Sequence, residues 1–353
     1  RELAMLRNRW IFAGLLGSLL VPVAAAQTSS EPDPLFQSNE PLDVRIAAPF
    51  STIMRERDSG DEIDGKLQFT DEAGEIVEID VGIRTRGRYR MQRRVCNFAP
   101  LRLNFKKSQT KDSLFHKQDK VKLVTHCSDH TRRYEQSVLR EFLAYRILNE
   151  LTDISFRTRL LRVTYVDTDS DNSERTRYGF LIESVERLAK RLDLQPINVA
   201  RLSVARVQPA YMNLDSVFQY LIGNTDFSPV TGSQGVCCHN HALVGKEDDL
   251  IYSVPYDFDQ SGLVNAFYAR PNPRFKLRSV RQRLYRGRCS GNHYLDASLD
   301  LFKQKREVIF ALVNEQPGFN KTSLKSATDY VNTFFDTITS PKNVRARLVK
   351  KCI

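Results

Sequence analysis

The sequence predicts an α+β protein in two lobes, a β-rich N-terminal lobe built on an antiparallel sheet and a helical C-terminal lobe, with a cleft between them. Two observations carry that reading. Short runs of alternating apolar and polar residues recur up to about residue 184, and beyond Val185 the apolar spacing becomes helical. Strands are expected at 43–48, 66–70 and 75–84, with a turn at 71–74 joining the last two, and then at 101–105 and 120–126. In the last of these, alternation puts Val121 and Leu123 on one face and Lys122 and Val124 on the other. A helix over 136–151 follows, because Val138, Leu139, Phe142, Ile147, Leu148 and Leu151 fall near helical spacing. Strands at 160–166 and 178–183 flank a polar loop, 167–176. In the second half, helices at 214–222, 299–314, 325–338 and 343–350 dominate, with strands only at 242–245 and 250–254. The chain is therefore divided into 1–26, 27–41, 42–184 and 185–353, the last two being the lobes.

The first division reads as a signal peptide. Arg7 and Arg9 precede an apolar run from Trp10 to Val23, and Ala24, Ala25 and Ala26 offer small residues for cleavage after Ala26. Residues 27–41, rich in Ser, Pro and acids, read as a flexible leader. No later stretch is apolar enough to span a bilayer, so the expectation is a protein exported to the periplasm or the extracellular space, with no transmembrane anchor after signal removal. Six cysteines in that oxidising setting favour disulfides. Bonds from Cys237 or Cys238 to distant segments such as Cys289 are expected. The alternative, zinc on Cys237, Cys238, His239 and His241, suffers from the poor geometry of neighbouring cysteines on one tetrahedral ion. The net charge of +11, from 53 basic and 42 acidic residues, is spread along the chain. It excludes a basic tail on a neutral body, and it attracts nucleotides, acidic proteins and anionic polymers alike without pointing to a specific nucleic acid.

Two segments set acids beside apolar stretches: Gly223-Asn224-Thr225-Asp226-Phe227, and Pro255-Tyr256-Asp257-Phe258-Asp259. His239-Asn240-His241 lies between them. An acid after a helix, an amide at the start of a strand and an acid after the next strand is a pattern that phosphoryl transfer needs. One carboxylate handles the incoming hydroxyl, while an amide and a second carboxylate give oxygens to the magnesium on the phosphates. The bland alternative for each Asp is a turn or helix cap.

These segments resemble the catalytic region of HipA-type and CotH-type kinases, and the resemblance to the CotH family of secreted kinases extends across most of the chain from about Val81. It implies a protein-kinase-like fold, ATP with Mg2+ or Mn2+, and a protein substrate that includes the chain itself. It implies Asp226 as catalytic acid or base, Asn240 and Asp257 as metal ligands, and Asp259 as a second carboxylate ligand. Arg84-Thr85-Arg86-Gly87 and the strand with Arg102 resemble the family's RG and PYRIKF-like strands, and Phe180-Leu181-Ile182-Glu183 resembles its hinge strand. Lys122 and Glu141 resemble the strand lysine and helix glutamate that hold nucleotide phosphates, with Arg86, Arg102 or Lys106 as alternatives. One departure is the interval of fourteen positions from Asp226 to Asn240, which holds the two adjacent cysteines. The basic stretch from Arg270 to Arg288 follows the second acid, where it would meet an acidic substrate or form a solvated face. The rival readings are a kinase-like binding or envelope-assembly module without turnover, and transfer of the nucleotide instead of the phosphoryl group.

Overall fold

The structure, a computed structural model, describes residues 30–232 and 235–353; the segment read as a signal peptide, with its cleavage site, lies outside the described residues. Seven strands form the first half: β1 (Leu42–Ala48), β2 (Ile63–Thr70), β3 (Ile76–Thr85), β4 (Leu101–Phe105), β5 (Lys120–Val124), β6 (Thr158–Asp167) and β7 (Ser173–Ile182). They close into a barrel in the order β1-β2-β3-β4-β5-β7-β6. Every pairing is antiparallel except the closing one, where β1 runs parallel to β6 from Leu42 opposite Leu161 to Ala48 opposite Asp167.

Closure corrects the expected two-lobed, protein-kinase-like fold with its antiparallel sheet: the sheet is a mixed barrel, and only the α+β character holds. The physical reason is edge satisfaction. An open sheet would leave one edge of β1 and one edge of β6 unpaired, whereas the two strands carry alternation in the same phase and so share one interior. Val44, Ile46 and Ala48 of β1 are buried with Leu161, Val163 and Tyr165 of β6, alongside Leu67, Ile83, Leu103, Leu123 and Leu181 from other strands. The short helix α1 (Phe50–Arg55) adds Phe50 and Ile53 to this core, and the single turn α2 (Lys107–Thr110) follows β4.

Residues 30–41, expected to be flexible, are tied down. Leu35 and Phe36 are buried in the barrel core, and Asp33 is paired with Arg187 and accepts a hydrogen bond from Gln118 at 3.0 Å. Their few apolar side chains anchor a segment whose composition reads as loose.

Helix α3 (Arg133–Leu151) begins three residues earlier than its apolar spacing suggests. It is buried on nearly every side, because it lies between the barrel and the helices of the second half. Phe142 and Tyr145 meet Phe180, which faces outward from β7, at 5.8 and 5.6 Å between ring centres. The second half continues with α4 (Val185–Arg191), the two-residue strand β8 (Gln195–Pro196), α5 (Pro209–Ile222), the hairpin β9 (His241–Gly245) and β10 (Tyr252–Pro255), then α6 (Leu295–Gln304), α7 (Arg306–Asn314), α8 (Lys321–Ile338) and α9 (Pro341–Arg347). The single helix expected over 299–314 is two, meeting at Lys305. The loop expected at 167–176 is shorter, since β6 and β7 pair as far as Asp167 and Ser173.

Three disulfides join Cys96 to Cys127, Cys237 to Cys238 and Cys289 to Cys352. The expected long-range partners of Cys237 and Cys238 are corrected: these neighbours pair with each other, and Cys289 reaches the chain's end. Among the described residues no helix is long and apolar enough to cross a membrane.

Candidate active site

A cleft of about 800 Å³ lies between one wall of the barrel and the second half. Arg86, Lys122, Glu141, Asp226, Asn240, Asp257 and Asp259 all line it. The barrel supplies the basic side. Val121 and Leu123 of β5 point inward, so Lys122 projects outward into the cleft, as the alternation predicts. Its ammonium sits 4.5 Å from the centre of the Tyr256 ring, and burial pushes its pKa down to about 8. Just beyond β3, the run Arg86-Gly87-Arg88-Tyr89-Arg90 crosses the cleft wall. Arg90 is buried and donates to the Thr125 carbonyl at 2.6 Å. The Cys96–Cys127 disulfide holds the two segments together behind it.

The second half supplies the acids. Helix α5 ends at Gly223, whose φ of 66° turns the chain sharply. The Asn224 side chain then accepts the Asp226 N–H at 2.9 Å, which fixes the start of the loop. Asn240 occupies the residue before β9, and its side-chain amide donates to the Asp226 carbonyl at 2.7 Å. The β9–β10 register pairs His241 with Pro255, so Tyr256 donates its N–H to the Asn240 carbonyl at 2.9 Å and Asp257 comes next to Asn240. The hairpin thus brings together two candidate positions seventeen residues apart in sequence. Asn240 and Asp257 have φ values of 55° and 63°, a left-handed conformation that these residue types tolerate better than most.

Glu141 and Tyr145, one turn apart on α3, form the floor. The Tyr145 hydroxyl accepts the Asp257 N–H at 2.9 Å. Glu141 and Asp259 are both buried, and both are held above the ordinary carboxylate range. For Glu141 the causes are burial first, then the charges of Asp259 and Asp257; for Asp259, at about 8, they are burial first, then the charge of Asp257. Arg90 opposes this repulsion, and the Tyr268 hydroxyl donates to Asp259 at 3.0 Å. Asp226 is bonded to His239 Nε2 at 2.9 Å, an interaction that raises the histidine's pKa.

Crowded carboxylates with one buried guanidinium among them suit an additional cation. Asn240 keeps its side-chain oxygen available while its amide nitrogen is engaged, and with Asp257 and Asp259 it makes a set of two carboxylates and one amide. Such a set fits magnesium, which takes few protein ligands and retains water. Cys237 and Cys238 are bonded to each other, which takes both thiolates from the zinc alternative, and among the described residues no group of three His, Cys, Asp or Glu side chains is arranged to hold a metal.

Three nominated residues lie elsewhere: Lys106 is exposed just ahead of α2, outside the cleft. Arg102 faces outward from β4 and pairs with Glu62 at 2.7 Å; Glu183 is buried and bonded through both oxygens to Arg191 at 3.1 and 3.0 Å. Neither lines the cleft. The expected Lys122–Glu141 partnership is also looser than an ion pair: both line the cleft, with Lys122 over Tyr256 and Glu141 among Asp259, Asp257 and Arg90. Sequence reasoning missed Arg88, Arg90, Tyr145 and Asn272. The alternating arginines of 86–90 and the four-residue step from Glu141 to Tyr145 were the available signals. No protein-family model matches the chain, and no curated protein matches it.

Proposed function

We propose that the protein is an exported phosphotransferase that moves the terminal phosphoryl group of ATP onto protein hydroxyls, its own included, as the resemblance to CotH-type kinases implies. The observation that carries the reading is the meeting of seven residues, drawn from six separate parts of the sequence, in one cleft with a basic wall and an acidic wall. Val124, Ile182 and Tyr256 add apolar surface for the base of a nucleotide. Lys122 and Arg86, which line the same cleft, would hold its phosphates.

Asp226 is the group that takes the proton. As the acceptor hydroxyl gives it up, its oxygen bonds to the terminal phosphorus, the bond to the bridging oxygen breaks and ADP leaves. The His239 contact at 2.9 Å orients the Asp226 carboxylate. A divalent cation on Asn240, Asp257 and Asp259 would offset the charge of the phosphates. Export is supported by the three disulfides and by the apolar segment ahead of Ala26.

The test is transfer of label from the terminal phosphate of ATP to the purified, disulfide-bonded protein in Mg2+ or Mn2+. Labelled protein is expected, with a loss of roughly 10²–10⁴-fold in Asp226→Asn. Label arriving only from the adenine end would replace phosphoryl with nucleotidyl transfer. Nucleotide binding without either label would reduce the cleft to a binding module.

A further inference from the structure

A second cluster of basic groups lies outside the cleft. Arg133 and Arg140 are two turns apart on α3 and share one side of it. Arg140 is only 7% exposed. Its Nε donates to the Gln136 carbonyl at 3.2 Å; its terminal nitrogens make no hydrogen bond among the described residues, and no carboxylate pairs with it. After burial itself, the influences on its guanidinium are the positive charges of Arg281 and Arg133, and its pKa falls to about 10. Arg281 uses one nitrogen, Nη1, to reach the Gly262 carbonyl and the Ser326 hydroxyl, both at 3.3 Å, and its guanidinium lies 4.6 Å from the centre of the Tyr330 ring. Arg133 lies over the Phe267 ring at 5.6 Å. Val280, beside Arg281, packs in the same cluster as Tyr134, beside Arg133, so the two chain segments adjoin.

Buried arginines are ordinarily matched by carboxylates, because an unpaired buried charge is costly. Arg140 is buried without one, and the charged groups that act on it, the half-buried Arg281 and the exposed Arg133, are cations too, so the cluster can accept an anion. We propose that Arg133, Arg140 and Arg281 form a binding site for a phosphoryl group, separate from the cleft. Planar guanidinium forks match the oxygens of a phosphate dianion better than they match a spherical halide. Two sources share this chemistry. One is free phosphate or a phosphate monoester. The other is a phosphate carried by Ser279, an exposed residue whose hydroxyl accepts the Arg281 N–H at 3.2 Å.

The experiment is calorimetric titration of the intact protein with sodium phosphate against sodium chloride at equal ionic strength, alongside mass spectrometry of residue 279. Saturable phosphate binding is expected, retained in Lys122→Met, which removes one of the cations of the cleft's basic wall. It should weaken about tenfold or more in Arg140→Met and in Arg281→Met, since each deletes charged hydrogen bonds, and recover in part in Arg140→Lys. Circular dichroism checks each variant; the partly exposed Arg281 keeps the test decisive if Arg140→Met does not fold. Phosphorylated Ser279, with free phosphate binding only after phosphatase treatment, assigns the covalent source. The proposal is overturned if residue 279 is unmodified and phosphate binds no better than chloride, or if binding is lost in Lys122→Met and unaffected in Arg281→Met.

Discussion

Asp257 illustrates how a side chain proposed for chemistry acts against stability. Its charge helps hold Glu141 and Asp259 protonated, so the acids of the cleft oppose one another whenever no cation balances them. Asp257→Asn is therefore expected to abolish metal-dependent transfer while raising the stability of the metal-free protein by about 1 kcal/mol, measured by urea unfolding. Unchanged transfer in this variant would remove the metal role. Lys122 gives a pH signature. Its folded pKa of about 8 lies below the ordinary lysine range, so between these values the unfolded chain binds the extra proton. Stability relative to Lys122→Met should accordingly rise as pH increases above about 8 and level off below it. ATP affinity should move the other way, falling as pH rises through about 8, because the phosphates lose a positive partner; Lys122→Arg should flatten that profile.

Among the elements, the end of α5 and the loop after β10 set the site, and Tyr330 of α8 wedges between them. A Cβ at Gly223 would meet the Tyr330 hydroxyl at 2.0 Å, and one at Gly262 would meet it at 2.2 Å. Gly223 also needs its positive φ, so Gly223→Ala combines backbone strain with a collision. A loss of roughly 2 kcal/mol or more is expected in denaturant unfolding. Adding Tyr330→Phe, which removes the colliding oxygen, should recover part of it; no recovery would place the cost in the backbone alone. The β9–β10 hairpin was legible as two strands, and it is the register between them that brings Asn240 to Asp257. Arg86 and Arg102 show the opposite situation. Both read as basic residues beside strands, yet the barrel turns one into the cleft and the other toward Glu62.

For the whole molecule, the Cys289–Cys352 disulfide closes the largest loop, with a sequence separation of 63, and ties the chain's end to the segment before α6. Chain-entropy reasoning assigns a link of that span up to about 4 kcal/mol. Cys352→Ser should lower the unfolding midpoint in denaturant, and reductant, which opens the other two disulfides as well, should lower that of the parent protein at least as far. If neither moves the midpoint, the second half owes its stability to packing around Phe302, Phe334 and Leu348. The barrel is held differently, by a parallel pairing between β1 and β6 that no turn enforces.

The sequence by itself determined the alternation that sends Lys122 outward, the helix carrying Glu141, and the local motifs around Asp226, Asn240 and Asp257, because these depend on neighbours within a few positions. Tertiary structure alone decided that the sheet closes, that Leu35 and Phe36 are core, that Cys237 pairs with Cys238, and that Glu183 belongs to Arg191. The barrel closure above all depends on edges meeting across some 120 positions of chain, and matching edges leave no trace in the spacing of either strand.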